Sequence, residues 1–472
     1  MQGTGVALLI PIIIALIYGE YYTIPGFLVG STISLILGSA CRYGIKEINK
    51  IRLKHGMIIS SLAWIWASLM GSITMMIIIP NISLLNAFFE NMSAFSGTGI
   101  TLFANVEILP YSLLFLRSLE QWLGGLGIVV IVIGILIRAG TAASKLYKSE
   151  ARDERIKPSV KNTLHKSTQI YGIYTIIGII LYLLAGMPLF DSICNTFTTI
   201  ATGGMAIKNS SIGYYHNPII NYITIFLMLL GATSFMAHYK VYKTKGKAIF
   251  KDIQFQAMIL IIILTSFFIG LLTNIMPMEI AFHIISAITT TGASLSSSIT
   301  IAHWPDIFLV ILMIVMIIGG SSGSTTGGVK IIRIITFLKG IYINIMETIS
   351  PEGRVMTMKI SGKEIPERAI KESASYILLF LGMILISWMV LLYYGYDGFY
   401  SLFEVISAQA NIGLSTGIIS NNLQPFAKIM IIINMWTGRL EIIPVLVTLR
   451  SFLELFKSNK IVKTKPKKRN IK

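Results

Sequence analysis

The chain has 472 residues, of which 54% are hydrophobic and 13% charged, with mean hydropathy +0.74 and a formal net charge of +18. A soluble protein carries about a quarter charged residues, so a water-soluble globular fold is excluded. The basic excess does not point to nucleic acid either, because it is confined to Arg42–Lys54, Lys145–Lys166, Lys240–Lys251, Arg354–Lys371 and a tail, Lys457–Lys472, with eight Lys/Arg and no acid.

In chain order, two apolar runs come first, Gly5–Gly19 and Thr23–Cys41, turning at "EYYTIP" (Glu20–Pro25). They have no charged leader and are expected to form a transmembrane hairpin over 1–54, not a cleaved signal. Long runs follow, among them Met57–Pro80, Leu113–Ile137 and Met258–Ile275, near or above the ~20 residues that cross a bilayer core. The segments between the basic clusters (102–110, 206–217, 295–305, 416–425) contain only Lys208 as a cation. That alternation places both termini in the cytoplasm, with the tail as a topology-fixing segment.

Four times the chain runs apolar span, short amphipathic helix, Gly/Thr/Ser-rich loop, second apolar span. The repeats are placed at 55–145, 146–252, 253–350 and 351–456, with the tail at 457–472. The loops are "SGTGIT" (Ser96–Thr101), "ATGGMA" (Ala201–Ala206), "TTTGAS" (Thr289–Ser294) and "NIGLST" (Asn411–Thr416). Anchored on Gly99, Gly203, Gly292 and Gly413, the repeats align Phe89, Ile193, Phe282 and Phe403 ten residues earlier. A helix of about twelve residues is about 18 Å long and cannot span. It can enter the membrane and return as a loop, provided the loop is buried in protein or lines water. Four such loops around one axis enclose a pore, with helix C-termini favouring a cation. Glycine lets carbonyls turn inward, and carbonyl rings replace the hydration shell of a potassium-sized ion. The expected fold is therefore an all-α polytopic membrane protein, with four such repeats in pseudo-fourfold order plus the hairpin.

The third repeat carries "GGSSGSTTGG" (Gly319–Gly328), ten residues with no hydrophobic side chain, after Asp306–Ile318. That helix supplies about 20 Å against a core of roughly 30 Å, so the break falls inside the membrane. Small residues bring little to pack and lose much entropy on ordering, which suits a movable plug.

The chain resembles the membrane subunit of Trk potassium-uptake systems, in the Trk/Ktr/HKT superfamily, through "RSLEQWLGGLGIVVI" (Arg117–Ile131), "FDSICNTFTTIATGG" (Phe190–Gly204), "SIGYYHNPIINY" (Ser211–Tyr222), "GGSSGSTTGGVKIIR" (Gly319–Arg333) and "GRLEIIPVL" (Gly438–Leu446). The resemblance implies potassium uptake across the cell membrane by a homodimer working with a cytosolic ring that binds a nucleotide of the NAD or ATP class. It implies potassium as transported ion, with no cofactor bound by this chain. It also implies filter glycines at Gly99, Gly203, Gly292 and Gly413, with ion-facing carbonyls from these and from Gly97, Thr98, Ala201, Thr202, Thr290, Thr291, Asn411 and Ile412. The gate it implies consists of Gly319, Gly320, Ser321, Ser322, Gly323, Ser324, Thr325, Thr326, Gly327 and Gly328 with Arg439. A cation so deep in a span marks an ion path or a paired site, and Arg439 is expected to bond the loop's carbonyls or an acid. Glu441 is that acid or faces the cytoplasmic end. Lys330 and Arg333 are expected to snorkel to the cytoplasm, with contact to the regulatory ring as the other role.

Glu90, Asp191, Glu279 and Glu404 lie on the short helices, as cation attractants or capping groups. His216, His238, His283 and His303 lack ligand spacing, Cys41 and Cys194 imply no framework, and Gly319–Lys330 lacks the Gly-Lys-Ser/Thr ending of a phosphate loop. A proton- or sodium-coupled secondary cation transporter is the alternative, and needs carboxylates on the long spans. A membrane enzyme needs a paired His/Asp or Ser/His/Asp set, which the sequence does not offer.

Overall fold

The computed structural model describes residues 1–44, 53–127, 160–244, 249–351, 359–360 and 363–463. The 145/146 repeat boundary, most of the basic stretch from Lys145, the end of the motif beyond Gly127, Arg354, and the tail from 464 lie outside these residues.

The described residues are helical apart from loops and a two-residue antiparallel pairing of Lys359–Ile360 with Lys363–Glu364. Among the described residues, five helices are long and apolar enough to cross a membrane, or seven if two bent pairs each count as one span. The protein is a multi-pass membrane protein.

The N-terminal hairpin consists of Gln2–Ala7, Ile10–Ile17 and Ile24–Gly44. Its turn is anchored by Glu20, whose carboxylate accepts the N–H groups of Tyr111 (2.6 Å) and Ser112 (2.9 Å) at the start of a helix in the first repeat. A carboxylate there satisfies orphan donors at the positive end of the helix dipole.

The first spans are Leu53–Ile78, Val160–Leu184, Ile253–Leu272 and Glu367–Tyr393. Ile253–Leu272 shows how little of such a span the protein covers: Leu260, Ile263, Leu264, Phe267 and Leu271 all stand exposed, a surface suited to lipid. The short helices are Leu84–Ser96, Leu189–Ile200, Pro277–Ile288 and Gly398–Gln409, each too short to span. Phe89, Phe282 and Phe403 are fully buried on them.

The second spans bring a correction. Leu113–Ile137 reads as one continuous run, yet its helix, Tyr111–Leu126, stops at Gly127 (φ 88°). Pro218–Ala232 bends by 103° into Phe235–Val241, and Pro425–Leu440 by 112° into the helix from Ile443. The fourth bend is made by Glu441 (φ 62°) and Ile442 (φ 49°), both left-handed. Asp306–Ile318 ends at the Gly-rich loop and the chain resumes at Ile331–Ile349. The second, third and fourth repeats are thus each interrupted, the third by the longest insertion, and in the first the described helix ends at Gly127.

Candidate functional site

Each short helix ends on a left-handed residue: Gly97 (φ 74°), Thr202 (φ 52°), Thr290 (φ 49°) and Asn411 (φ 56°). The next residue donates its N–H to a carbonyl five positions back, Thr98 to Ser93 (3.0 Å), Gly203 to Thr198 (2.8 Å), Thr291 to Ser286 (2.9 Å) and Ile412 to Ser407 (2.9 Å). A second left-handed residue follows, Gly99 (φ 83°), Gly204 (φ 62°), Gly292 (φ 75°) and Gly413 (φ 101°). Only glycine takes this conformation without cost.

This pattern corrects the register of the second repeat by one residue. The equivalent of Gly99, Gly292 and Gly413 is Gly204, and Gly203 corresponds to Thr98. Ala201 is a right-handed helix cap like Ala410 and Thr289, so it leaves the candidate filter. Cys194, not Ile193, matches the buried phenylalanines and is itself fully buried. "ATGGMA" offers two adjacent glycines, and spacing alone does not choose between them. With the correction, the residue after each glycine is apolar and buried: Ile100, Met205, Ala293 and Leu414.

The four loops close into a ring. A Cβ on Gly99 would stand 2.2 Å from the Gly203 oxygen, one on Gly204 2.0 Å from that of Thr291, one on Gly292 1.7 Å from that of Ile412, and one on Gly413 2.1 Å from that of Thr98. Each glycine admits the backbone of the next loop. Gly99, Gly204, Gly292 and Gly413 all line the floor of a cavity of about 760 Å³.

A second layer holds the loops. Three residues before the serine or threonine on each short helix stand Glu90, Asn195, His283 and Glu404. Glu90 accepts from Leu102 N–H (2.5 Å) and Thr101 (2.9 Å), and Glu404 from Thr416 N–H (2.8 Å), Gly417 N–H (3.1 Å) and Ser415 (2.7 Å). His283 Nε2 faces Ser294 Oγ at 3.0 Å. Arg117 is buried and pairs with Glu90 at 3.2 Å, so Glu90 presents no free charge to the cavity. Asp191 and Glu279 lie one turn earlier on their helices, bonded to Tyr215 (2.8 Å) and to Ser296 respectively.

Gln121 was not singled out by the sequence, although it lies inside a quoted motif. Its amide donates to the Gly203 carbonyl (2.8 Å) and accepts from Met205 N–H (3.0 Å). The Gly203 carbonyl therefore has a protein donor, whereas among the described residues none is recorded for Thr98, Thr291 or Ile412. Asn411, the apparent outlier of the fourth loop, donates to Thr98 Oγ1 (2.9 Å) and Met435 O (2.8 Å), tying the fourth loop to the first.

The Gly-rich loop lies against this ring. Gly327 N–H bonds Thr290 Oγ1 (2.8 Å), and Thr202 donates to Thr325 Oγ1 (3.1 Å), which donates to Gly231 O (3.0 Å). Ser322 N–H bonds Gln254 (2.7 Å). Ser321, Ser324, Thr325 and Thr326 are buried. The expectation of a loop with nothing to pack is corrected: its small side chains bring hydroxyls that satisfy backbone groups at membrane depth.

Arg439 donates to Thr325 O (2.6 Å) in the loop and to Gly124 O (2.5 Å) and Gly125 O (2.9 Å) in the last turn of the helix Tyr111–Leu126. It bonds a carbonyl of the loop, as expected. Glu441 pairs with Arg333, whose guanidinium lies 4.3 Å from the Tyr376 ring centroid. Lys330 donates to Thr326 O. Both cations thus turn onto the protein, a correction to the snorkelling expected of them. Arg439, Lys330 and Glu441 line a small cavity of about 40 Å³ with Trp64, Ser324 and Gly327.

A family model described as TrkH, cation transport protein, matches residues 23–295 and 277–461. The chain is 36% identical to an uncharacterized cation transporter of Methanocaldococcus jannaschii, over 95% of this chain and 92% of that protein. It is 30% identical to the Trk system potassium uptake protein TrkH of Salmonella typhimurium, over 93% and 94% of the two chains. The crystal structure of the potassium transporter TrkH from Vibrio parahaemolyticus superimposes with a TM-score of 0.84 at 28% identity, covering 94% of this chain and 95% of that one.

Proposed function

The chain belongs to the TrkH family of cation transport proteins, and from that premise we propose that it takes up potassium through a single-chain pore whose filter is the ring of four loops. It is a transport protein, not an enzyme. The observation that carries the filter reading is the cyclic set of glycine-to-carbonyl contacts, 99 to 203, 204 to 291, 292 to 412 and 413 to 98. The filter comprises Gly97, Thr98 and Gly99; Thr202, Gly203 and Gly204; Thr290, Thr291 and Gly292; and Asn411, Ile412 and Gly413. Potassium sheds water at the floor of the large cavity and takes carbonyl oxygens in exchange.

The gate in this reading is Gly319–Gly328 held by Arg439. The loop packs under the filter, and the guanidinium adds a positive charge on the ion's way out. Standing on the helix of the fourth repeat, it bonds both the first repeat and the loop as one clamp, so opening requires Arg439 to release Thr325. A homodimer in the cell membrane with both termini cytoplasmic, regulated by a cytosolic nucleotide-binding ring, completes the proposal. Its support is the basic-segment alternation and the resemblance to Trk systems.

The test is rubidium-86 uptake into proteoliposomes containing this chain alone. Competition by potassium far stronger than by sodium supports the reading. Uptake that sodium and potassium inhibit equally overturns the filter assignment.

A further inference from the structure

Glu120 lies on Tyr111–Leu126, is 1% exposed, and neither of its carboxyl oxygens has a hydrogen-bond partner among the described residues. The Asn91 side-chain oxygen, also buried, has none. Both acceptors stand over Gly71: a Cβ there would lie 2.1 Å from Asn91 Oδ1 and 2.6 Å from Glu120 Oε1, so the two oxygens are neighbours. The orientation of the Asn91 amide is fixed by its nitrogen, which donates to Ala87 O at 2.7 Å.

Two acceptors side by side with no donor lack one hydrogen, and a bare carboxylate in the protein interior also lacks a counter-charge. The charged groups acting on Glu120 are Arg117 and Glu90. They pair with one another at 3.2 Å and the other Arg117 bonds go to Thr101 and Ala206, while its buried Nε–H has no partner among the described residues and makes no bond to Glu120. The third element of the block, Leu53–Ile78, presents Gly71 here. A water would supply donors to Glu120 but no charge.

We infer that Glu120 and Asn91 form a proton-binding site, in which the neutral Glu120 carboxyl donates its O–H to Asn91 Oδ1. Binding is the addition of one proton to the carboxylate. One position along, Gln121 clamps the second loop, so the proton sits beside the support of the filter. The inference stands on this geometry alone and does not depend on the transported ion.

The test is infrared spectroscopy of the purified full chain, in choline buffer and in potassium or sodium buffer. The expected result is a protonated-carboxyl C=O band at neutral pH that is independent of the alkali cation and lost in Glu120→Gln. Asn91→Ala removes the acceptor and is expected to move the same band. Absence of that band from the wild type, or its appearance only after alkali cations are withdrawn, overturns the proposal; the second result would mean that a bound cation supplies the charge. If Glu120→Gln does not fold, the Asn91→Ala shift decides, and an unmoved band overturns the proposal.

Discussion

Gly413 lies against Thr98, with a Cβ position 2.1 Å from the Thr98 carbonyl oxygen, and this contact joins the last loop of the chain to the first. Residues more than three hundred positions apart thereby meet, and the four loops become one ring. The Asn411 amide reinforces the same junction through Thr98 Oγ1.

The register of the second loop is testable by adjacent substitutions. Gly204→Ala combines a left-handed φ with a contact to the Thr291 oxygen, so it is expected to lower potassium-over-sodium discrimination as Gly292→Ala does. With about 1–2 kcal/mol for the backbone alone, a loss of roughly tenfold is the expected scale. Gly203→Ala meets the flexible Gln121 side chain instead and is expected to cost less. Competition of rubidium uptake by sodium measures both, and a larger effect at Gly203 contradicts the corrected register.

Arg439→Ala leaves the carbonyls of Thr325, Gly124 and Gly125 without their shared donor. Uptake by the chain alone is expected to rise several-fold. Arg439→Lys keeps the charge but not the fork geometry and is expected to fall between the two. Unchanged uptake in both variants contradicts the clamp.

The Arg333–Glu441 pair links the exit of the Gly-rich loop to the bend of the fourth repeat. Arg333 keeps a quarter of its side chain exposed, so solvent screening limits its worth. A double-mutant cycle on thermal stability with Arg333→Gln and Glu441→Gln is expected to give a coupling of about 1 kcal/mol or less. Zero coupling would mean that the contact does not join these segments.

Glu90 and Glu404 occupy equivalent positions with different partners. Glu90→Gln leaves Arg117 buried and unpaired, which is expected to cost about 3 kcal/mol or more. Glu404 has no recorded cationic partner, so Glu404→Gln keeps most of its bonds and is expected to cost clearly less. Thermal unfolding in detergent compares them, and equal losses contradict the assigned roles.

The repeat, the short helices and the break after Ile318 were legible because composition and length announce them. Four other features were not. The second-repeat register was ambiguous because Gly203 and Gly204 are chemically identical, and only their φ angles and neighbours separate them. The bends at Thr233 and at Glu441–Ile442 fall on residues that are not glycine or proline themselves, and Gly231, Gly438 and Pro444 beside them sit within apolar runs that read as continuous. Gln121 and Asn411 act across loops, through contacts that no local pattern encodes. Glu120 does not stand out because it lies within Leu113–Ile137, which reads as one long apolar run, and its isolation is a property of the packing around Gly71.

The most direct test of the central claim is crystallography of the protein grown in rubidium, with anomalous scattering used to locate the ion. The account predicts rubidium on the axis enclosed by Gly99, Gly204, Gly292 and Gly413, within coordination distance of loop carbonyls from all four repeats. Rubidium bound elsewhere along the pore, with none at this ring, would contradict it.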